Sequence, residues 1–225
     1  MRGRNIPWGA WALAIAFLSA AIGWWSVHWR PGLTDYPVQG VDVSDAQGEI
    51  AWPTVEAAGA DFAYIKATEG ADISDPRFTE NWEGAEKAGM RRGAYHFFSL
   101  CRNAAEQATN FISIVPRGGD SLPAAIDLEF SGNCKDRPAR AAVLRELKIF
   151  IEMAEAHTGK PLVVQVARDF DDYYMISDAI DRPLWLKRFL LPPSYGAREW
   201  AMWQASTFRR VNGIEAPVHW NVIHP

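Results

Sequence analysis

Three carboxylates stand where carboxylates are costly. Asp42 lies in the apolar run VQGVDVS (38–44), and Asp127 and Glu129 lie in LPAAIDLEF (122–130). Both runs read as strands buried on two faces, and such strands hold Asp or Glu only when something compensates the charge. Asp127 and Glu129 are two residues apart, so a strand sends them to one face, roughly 6.5–7 Å apart along it. Two acids on one face raise each other's pKa, and one can keep its proton near neutral pH. A protonated acid beside a charged one suits glycoside cleavage: a proton for the leaving oxygen and a negative charge for the developing cation. The same spacing also suits a structural ion pair, a helix cap or, with further oxygen ligands, a magnesium or calcium site. Asp42 and the aromatic run Tyr95-His96-Phe97-Phe98 tilt the reading toward a saccharide, because aromatic rings give sugars a flat apolar wall; Phe97 or Phe98 is otherwise ordinary core.

Other chemistries lack their residues. The five histidines (His28, His96, His157, His219, His224) have no ligand spacing, so no metal is expected. There is no P-loop, no GxGxxG after a strand, no HExxH and no GxSxG.

The elements that must position these acids alternate. Strand-like runs at 38–44, 61–70, 91–99, 122–130 and 161–167 are separated by helix-like segments at 49–59, 75–89, 101–115 and 136–159. Asp75-Pro76 starts one helix, and Gly59, Gly89 and Gly159 stop three. Further strands are expected at 183–189 and 199–206, with a short closing segment at 218–223 and little helix between them. The pattern predicts a parallel sheet with crossover helices, either a barrel or a doubly wound sheet, degenerating toward the C-terminus.

Composition separates a head from a body. Three of the 23 basic residues (Arg2, Arg4, Arg30) and none of the 27 acidic ones fall in residues 1–30, which leaves the body seven charges negative. An acidic body without a basic run excludes nucleic acid as a partner. With 48% hydrophobic and 22% charged residues the chain is not disordered. From Trp8 to Trp25 the head has no charge, and tryptophans sit at both of its ends, as an aromatic belt would. Residues 1–30 are therefore read as an uncleaved inner-membrane anchor with the body in the periplasm, the alternative being a signal cleaved near Ser19–Ala21. Residues 31–37 read as a linker and 38–225 as the functional domain. An exported body permits a disulfide between its two cysteines, Cys101 and Cys134; the alternative is two unrelated buried thiols.

Taken in order, GVDVSDAQGEIAW, FAYIKATEG, DPRFTENWEGAEKAGMRRGAYHFF, LPAAIDLEF and WAMWQAS resemble glycoside hydrolase family 25, the Chalaropsis-type lysozymes, over nearly the whole body. The cysteines in CRNAAEQATNFI and GNCKDRP look like the Gram-negative branch of that family. The resemblance implies a flattened, irregular (β/α) barrel, TIM-barrel-like, whose last strands lack full helices. It implies cleavage of the β-1,4 bond from N-acetylmuramic acid to N-acetylglucosamine in peptidoglycan glycan strands, without a cofactor. A monomer is expected. By motif, Glu129 matches the general acid and Asp127 its partner, which orients or charge-stabilises the substrate's N-acetyl group; Asp42 lines the same cleft. Glu69 and Tyr95 match positions near the sugar, and Lys66 and Gln204 are weaker matches. One departure stands out: the family's closing V-D-x-N-x-F pattern is here Val218-His219-Trp220-Asn221-Val222-Ile223, so His219 replaces an aspartate that faces the cleft. No wall-binding module is expected after Pro225.

Overall fold

The computed structural model describes residues 8–225, so Arg2 and Arg4 of the expected basic start lie outside the described residues. Among the described residues, α1 (Trp8–His28) comes first and nine strands follow: β1 (Gln39–Val43), β2 (Phe62–Glu69), β3 (Ile73–Ser74), β4 (Arg91–Phe97), β5 (Ala125–Leu128), β6 (Val163–Val166), β7 (Leu184–Lys187), β8 (Met202–Arg209) and β9 (Val218–Ile223). Eight of them close an irregular barrel, and β3 is a short antiparallel addition to β2. The ring runs parallel from β1 through β2, β4, β5, β6 and β7 to β8. Only β9 is reversed; it lies antiparallel between β8 and β1 and seals the ring. Of the two topologies open to the sequence, the chain takes the barrel.

The helices follow local chemistry. Asn103 caps α4 (Ala104–Ile114) by accepting the N–H groups of Ala105 and Glu106 at 2.9 and 3.3 Å. The long α5 (Arg140–Thr158) stops where Gly159 takes a left-handed φ of 72°. Two shorter crossovers precede them, α2 (Trp52–Ala57) and α3 (Phe78–Lys87). Asp75 lies ahead of α3 but ties loops together instead of capping it, accepting from the N–H groups of Asp45 and Arg77 at 2.9 Å each. Two short helices, α6 (Arg168–Tyr174) and α7 (Ile176–Ala179), link β6 to β7, and among the described residues no helix follows β7.

Strand alternation splits the core into two layers. Outward side chains such as Ile65, Ile126, Leu128 and Val164 join Phe111, Leu147 and Phe150 of the helices in the main core. Inward ones, among them Phe62, Tyr64, Val163, Trp185 and Met202, fill the barrel below its mouth. Gly93 on β4 makes room there: a Cβ at this position would lie 2.6 Å from the Tyr64 ring.

Among the described residues no crossover helix covers the outer face of β8 and β9. Residues 29–37, expected to join the end of the head to a linker, do that work. Trp29 and Tyr36 pack on Trp203, with ring centroids 6.4 and 5.7 Å away, and Trp29 also meets Phe189 at 6.2 Å. The Pro31 carbonyl accepts from Gln39 Nε2 at 3.0 Å, and Arg210 N–H bonds the Val27 carbonyl at 2.7 Å. Upstream, Trp11–His28 is apolar and none of it is buried in the protein. At 1.5 Å per residue, the 21 residues of α1 reach about 31 Å, close to the thickness of a bilayer core.

Candidate active site

Every parallel strand points its C-terminal end at one mouth of the barrel, and the reversed β9 brings its N-terminal end to the same mouth. Asp42 is the last residue but one of β1, Asp127 lies in β5, Glu129 follows β5 by one residue, Lys187 ends β7 and His219 is the second residue of β9. These side chains line a cleft of about 290 Å³ together with Lys66, Glu69, Tyr95, Phe97, Ser131 and Gly132.

Asp127 and Glu129 face the same way, as their spacing requires. Lys187 joins them: its Nζ donates to Asp127 Oδ1 at 2.8 Å and to Glu129 Oε2 at 2.7 Å. Burial raises the Asp127 carboxyl to about 6; Lys187 works against that rise and Glu129 adds to it. Burial also opposes the charge on Lys187, but the two carboxylates outweigh it and hold the ammonium above its ordinary range. Lys187 was not among the residues singled out from the sequence, although the signal was present. It shares a strand face with buried Trp185 in PLWLKRF, and a buried-strand cation calls for a partner as much as an acid does.

Asp42 is satisfied by β9. Its Oδ2 pairs with His219 Nδ1 at 2.7 Å, and its Oδ1 accepts from Asn221 Nδ2 at 2.7 Å. Asn221 in turn accepts from Trp185 Nε1 at 2.9 Å, which roots Asp42 in the barrel interior. Burial alone would raise Asp42, yet the charge and hydrogen bond of His219, with the bond from Asn221, bring it below its usual value. Burial likewise disfavours the His219 cation, and Asp42 reverses this and lifts the imidazole above 6.5. The residue in place of the expected aspartate is therefore a hydrogen-bond partner of Asp42, and an ionic one when protonated.

Lys66 and Glu69 form a 2.7 Å pair on β2, the strand beside β1. Residues three apart in a regular strand face opposite ways. Here the β2–β4 register slips between Lys66 and Thr68, a bulge at Ala67 that turns both charged ends into the cleft. Tyr95 also faces the cleft, kept a neutral phenol by burial and the surrounding acids. Of the aromatic run, Phe97 reaches the cleft and Phe98 belongs to the helix-side core. His96 points the same way as Phe98. It is held neutral by burial, which drops it to about 3, between Thr68 Oγ1 at 2.7 Å and Gln107 Oε1 at 3.2 Å. Gln204 does not line the cleft; it is buried in the barrel, accepting from Gln165 Nε2 at 2.9 Å.

Cys101 and Cys134 are bonded, with Cα atoms 6.2 Å apart. The bridge staples the loops after β4 and β5 beside the acid pair. Next to it, Asn133 donates to the Phe98 and Glu129 carbonyls at 2.8 and 3.0 Å.

The family model of glycosyl hydrolases family 25 matches residues 41–214, most of the body. The chain belongs to glycosyl hydrolase family 25. It is 34% identical over 197 residues to lysozyme M1 of Streptomyces globisporus, covering 82% of this chain and 67% of that one. It is also 33% identical over 195 residues to the uncharacterized protein YegX of Escherichia coli strain K12, covering 84% and 70%. A solved family 25 glycosyl hydrolase from Bacillus anthracis superposes with a TM-score of 0.81 at 37% identity over 88% of this chain and 94% of that one. A bacterial lysozyme from Streptomyces coelicolor gives 0.76 at 30% identity over 84% and 92%. The irregular (β/α) barrel is thus the family-25 fold, and the chain is a homologue of lysozymes and muramidases.

Proposed function

We propose that this protein is an N-acetylmuramidase, cleaving the β-1,4 bond between N-acetylmuramic acid and N-acetylglucosamine in peptidoglycan. The observation that carries this reading is the convergence of Asp127, Glu129 and Asp42 on one cleft at the barrel mouth. Glu129 serves as general acid: Oε2 is held by Lys187, and Oε1 accepts no hydrogen bond from the described residues. Its proton passes to the glycosidic oxygen as the C1–O bond breaks. The substrate's own acetamido oxygen then bonds C1, steadied by Asp127, and water opens that intermediate with Glu129 as base. Asp127 Oδ1 and Glu129 Oε2 share one ammonium, so the two carboxyls are close enough to act on one sugar ring. Asp42, Tyr95, Glu69 and Lys66 form the walls that hold the sugar.

The disulfide and the exposed apolar helix support an extracytoplasmic body on the Gram-negative pattern, anchored in the inner membrane by α1. Cleavage of α1 would leave a soluble periplasmic form, and N-terminal sequencing of the mature protein distinguishes the two. The activity test is product analysis: the full chain in detergent should release muramic-acid reducing ends from sacculi. Glu129→Gln should lower the rate by about 10²–10⁴-fold. A Glu129→Gln protein as active as the parent removes Glu129 from the role of acid. One observation favours a second reading, a glycan-binding protein without turnover: Lys187 and His219 already engage all three acids. Saturable glycan binding with no product at any pH would select it.

A further inference from the structure

We propose that Lys187 is a positioning residue of the acid pair: one ammonium holds the Glu129 carboxyl against Asp127 and sets the pH range in which the pair works. The inference builds on the muramidase reading but rests on its own geometry. Lys187 is 15% exposed, and its two contacts, 2.8 and 2.7 Å, reach both carboxyl groups at once. Its backbone is pinned as firmly as its tip. Lys187 N–H donates to the Tyr195 hydroxyl at 2.7 Å, and that hydroxyl donates to the Val166 carbonyl on β6 at 2.8 Å. The lysine is therefore fixed to the strand next to the one that carries Asp127.

The other charged groups around the pair are already committed. On β9, His219 is engaged by Asp42 of β1; on β2, Lys66 is engaged by Glu69. Tyr95 of β4 is a neutral phenol, and the interior side chains of β6 and β8 nearest the mouth, Gln165 and Gln204, carry no charge and bond each other. Among the described residues Lys187 is the one cation in hydrogen-bond contact with Asp127 and Glu129. A cation at this distance favours the charged form of an acid pair, and its removal lets the pair hold its protons to higher pH. Among the described residues only one oxygen of Glu129 accepts a side-chain hydrogen bond, so the lysine orients the carboxyl.

The test compares Lys187→Met, which keeps the length and removes the charge, with Lys187→Arg, which keeps the charge. In the full chain, the pH profile of kcat on sacculi should move upward on both limbs in Lys187→Met, by about one unit or more. In Lys187→Arg the limbs should stay within about half a unit. A structural role alone would lower the rate and leave the limbs in place. A second readout needs no turnover: carboxyl carbon-13 NMR titration of Asp127, assigned through Asp127→Asn. Its midpoint should rise by about one unit or more in Lys187→Met, because Lys187 holds it down in the parent. If the parent protein cleaves no glycan yet the midpoint rises, the role of Lys187 stands and the muramidase reading fails. If the midpoint and the limbs do not move, the proposal is overturned. Should Lys187→Met not fold, Lys187→Gln replaces it; if neither neutral variant folds while Lys187→Arg does, Lys187 is a structural ion-pair member and the proposal falls.

Discussion

Gly93→Ala measures how tightly the barrel interior supports the site. The new Cβ would lie 2.6, 3.0 and 3.1 Å from three atoms of the Tyr64 ring, closer than carbon atoms pack. The ring has nowhere to retreat. It is 3% exposed, it meets Trp185 at 4.9 Å and Phe62 at 6.2 Å, and its hydroxyl donates to the Pro123 carbonyl at 3.0 Å. Overpacking of this kind costs about 1–3 kcal/mol. Alanine recovers about 0.5–1 kcal/mol by restricting the unfolded chain, which leaves a net loss of about 0–2.5 kcal/mol, centred near about 1 kcal/mol. For a protein of this size a loss of about 1 kcal/mol lowers Tm by about 2–4 °C. The strain also has a route to the site: Trp185 displaced by Tyr64 disturbs Asn221, and Asn221 holds Asp42. The assay is thermal unfolding of four proteins: parent, Gly93→Ala, Tyr64→Leu and the double variant. Tyr64→Leu removes the ring, so the cost of Gly93→Ala should nearly vanish in that background. An equal cost in both backgrounds, or a single variant as stable as the parent, would refute the contact as the cause.

Further outcomes follow from the same structure. Replacing Cys101 and Cys134 by serine releases a 33-residue loop and should cost about 4 kcal/mol by the loop-entropy account, checked by urea unfolding beside the reduced parent. Trp29→Ala uncovers the Trp203 face of the barrel and should cost about 2 kcal/mol, and a body begun at residue 38 should aggregate for the same reason, visible in light scattering. The His219–Asp42 pair gives a pH signature. His219 is raised above 6.5, so its contribution is complete below that value and is lost as pH climbs through the folded-state pKa; Asp42 is lowered below 3.8, so its contribution is present above 3.8 and is lost as pH falls through its folded-state value. The Tm difference between parent and His219→Asn should therefore be largest near pH 5–6 and shrink in alkali. A difference that does not vary with pH would mean the pair is not ionic.

Much of this protein is determined locally. Apolar runs alternating with capped or glycine-stopped helical segments predicted the parallel strands, and a two-residue spacing put Asp127 and Glu129 on one face, because strand alternation needs no knowledge of neighbours. The motif blocks likewise pointed to family 25. What closure of the sheet decided lies beyond such periodicity. Reversal of β9 sets His219 and Asn221 against Asp42, although 177 and 179 residues separate them. The bulge at Ala67 turns Glu69 to the same side as Lys66, against the regular two-residue rule. Helix formation was expected to thin out toward the C-terminus. That residues 29–37 would take the missing helix's place, however, depends on an apolar face that exists only once β8 and β9 have paired. Lys187 is the clearest case. In the sequence it is one lysine at the end of an apolar run. In the barrel, two strands away from β5, it becomes the ammonium that both acids share, because partner choice across a closed sheet is set by strand order and register, not by distance along the chain.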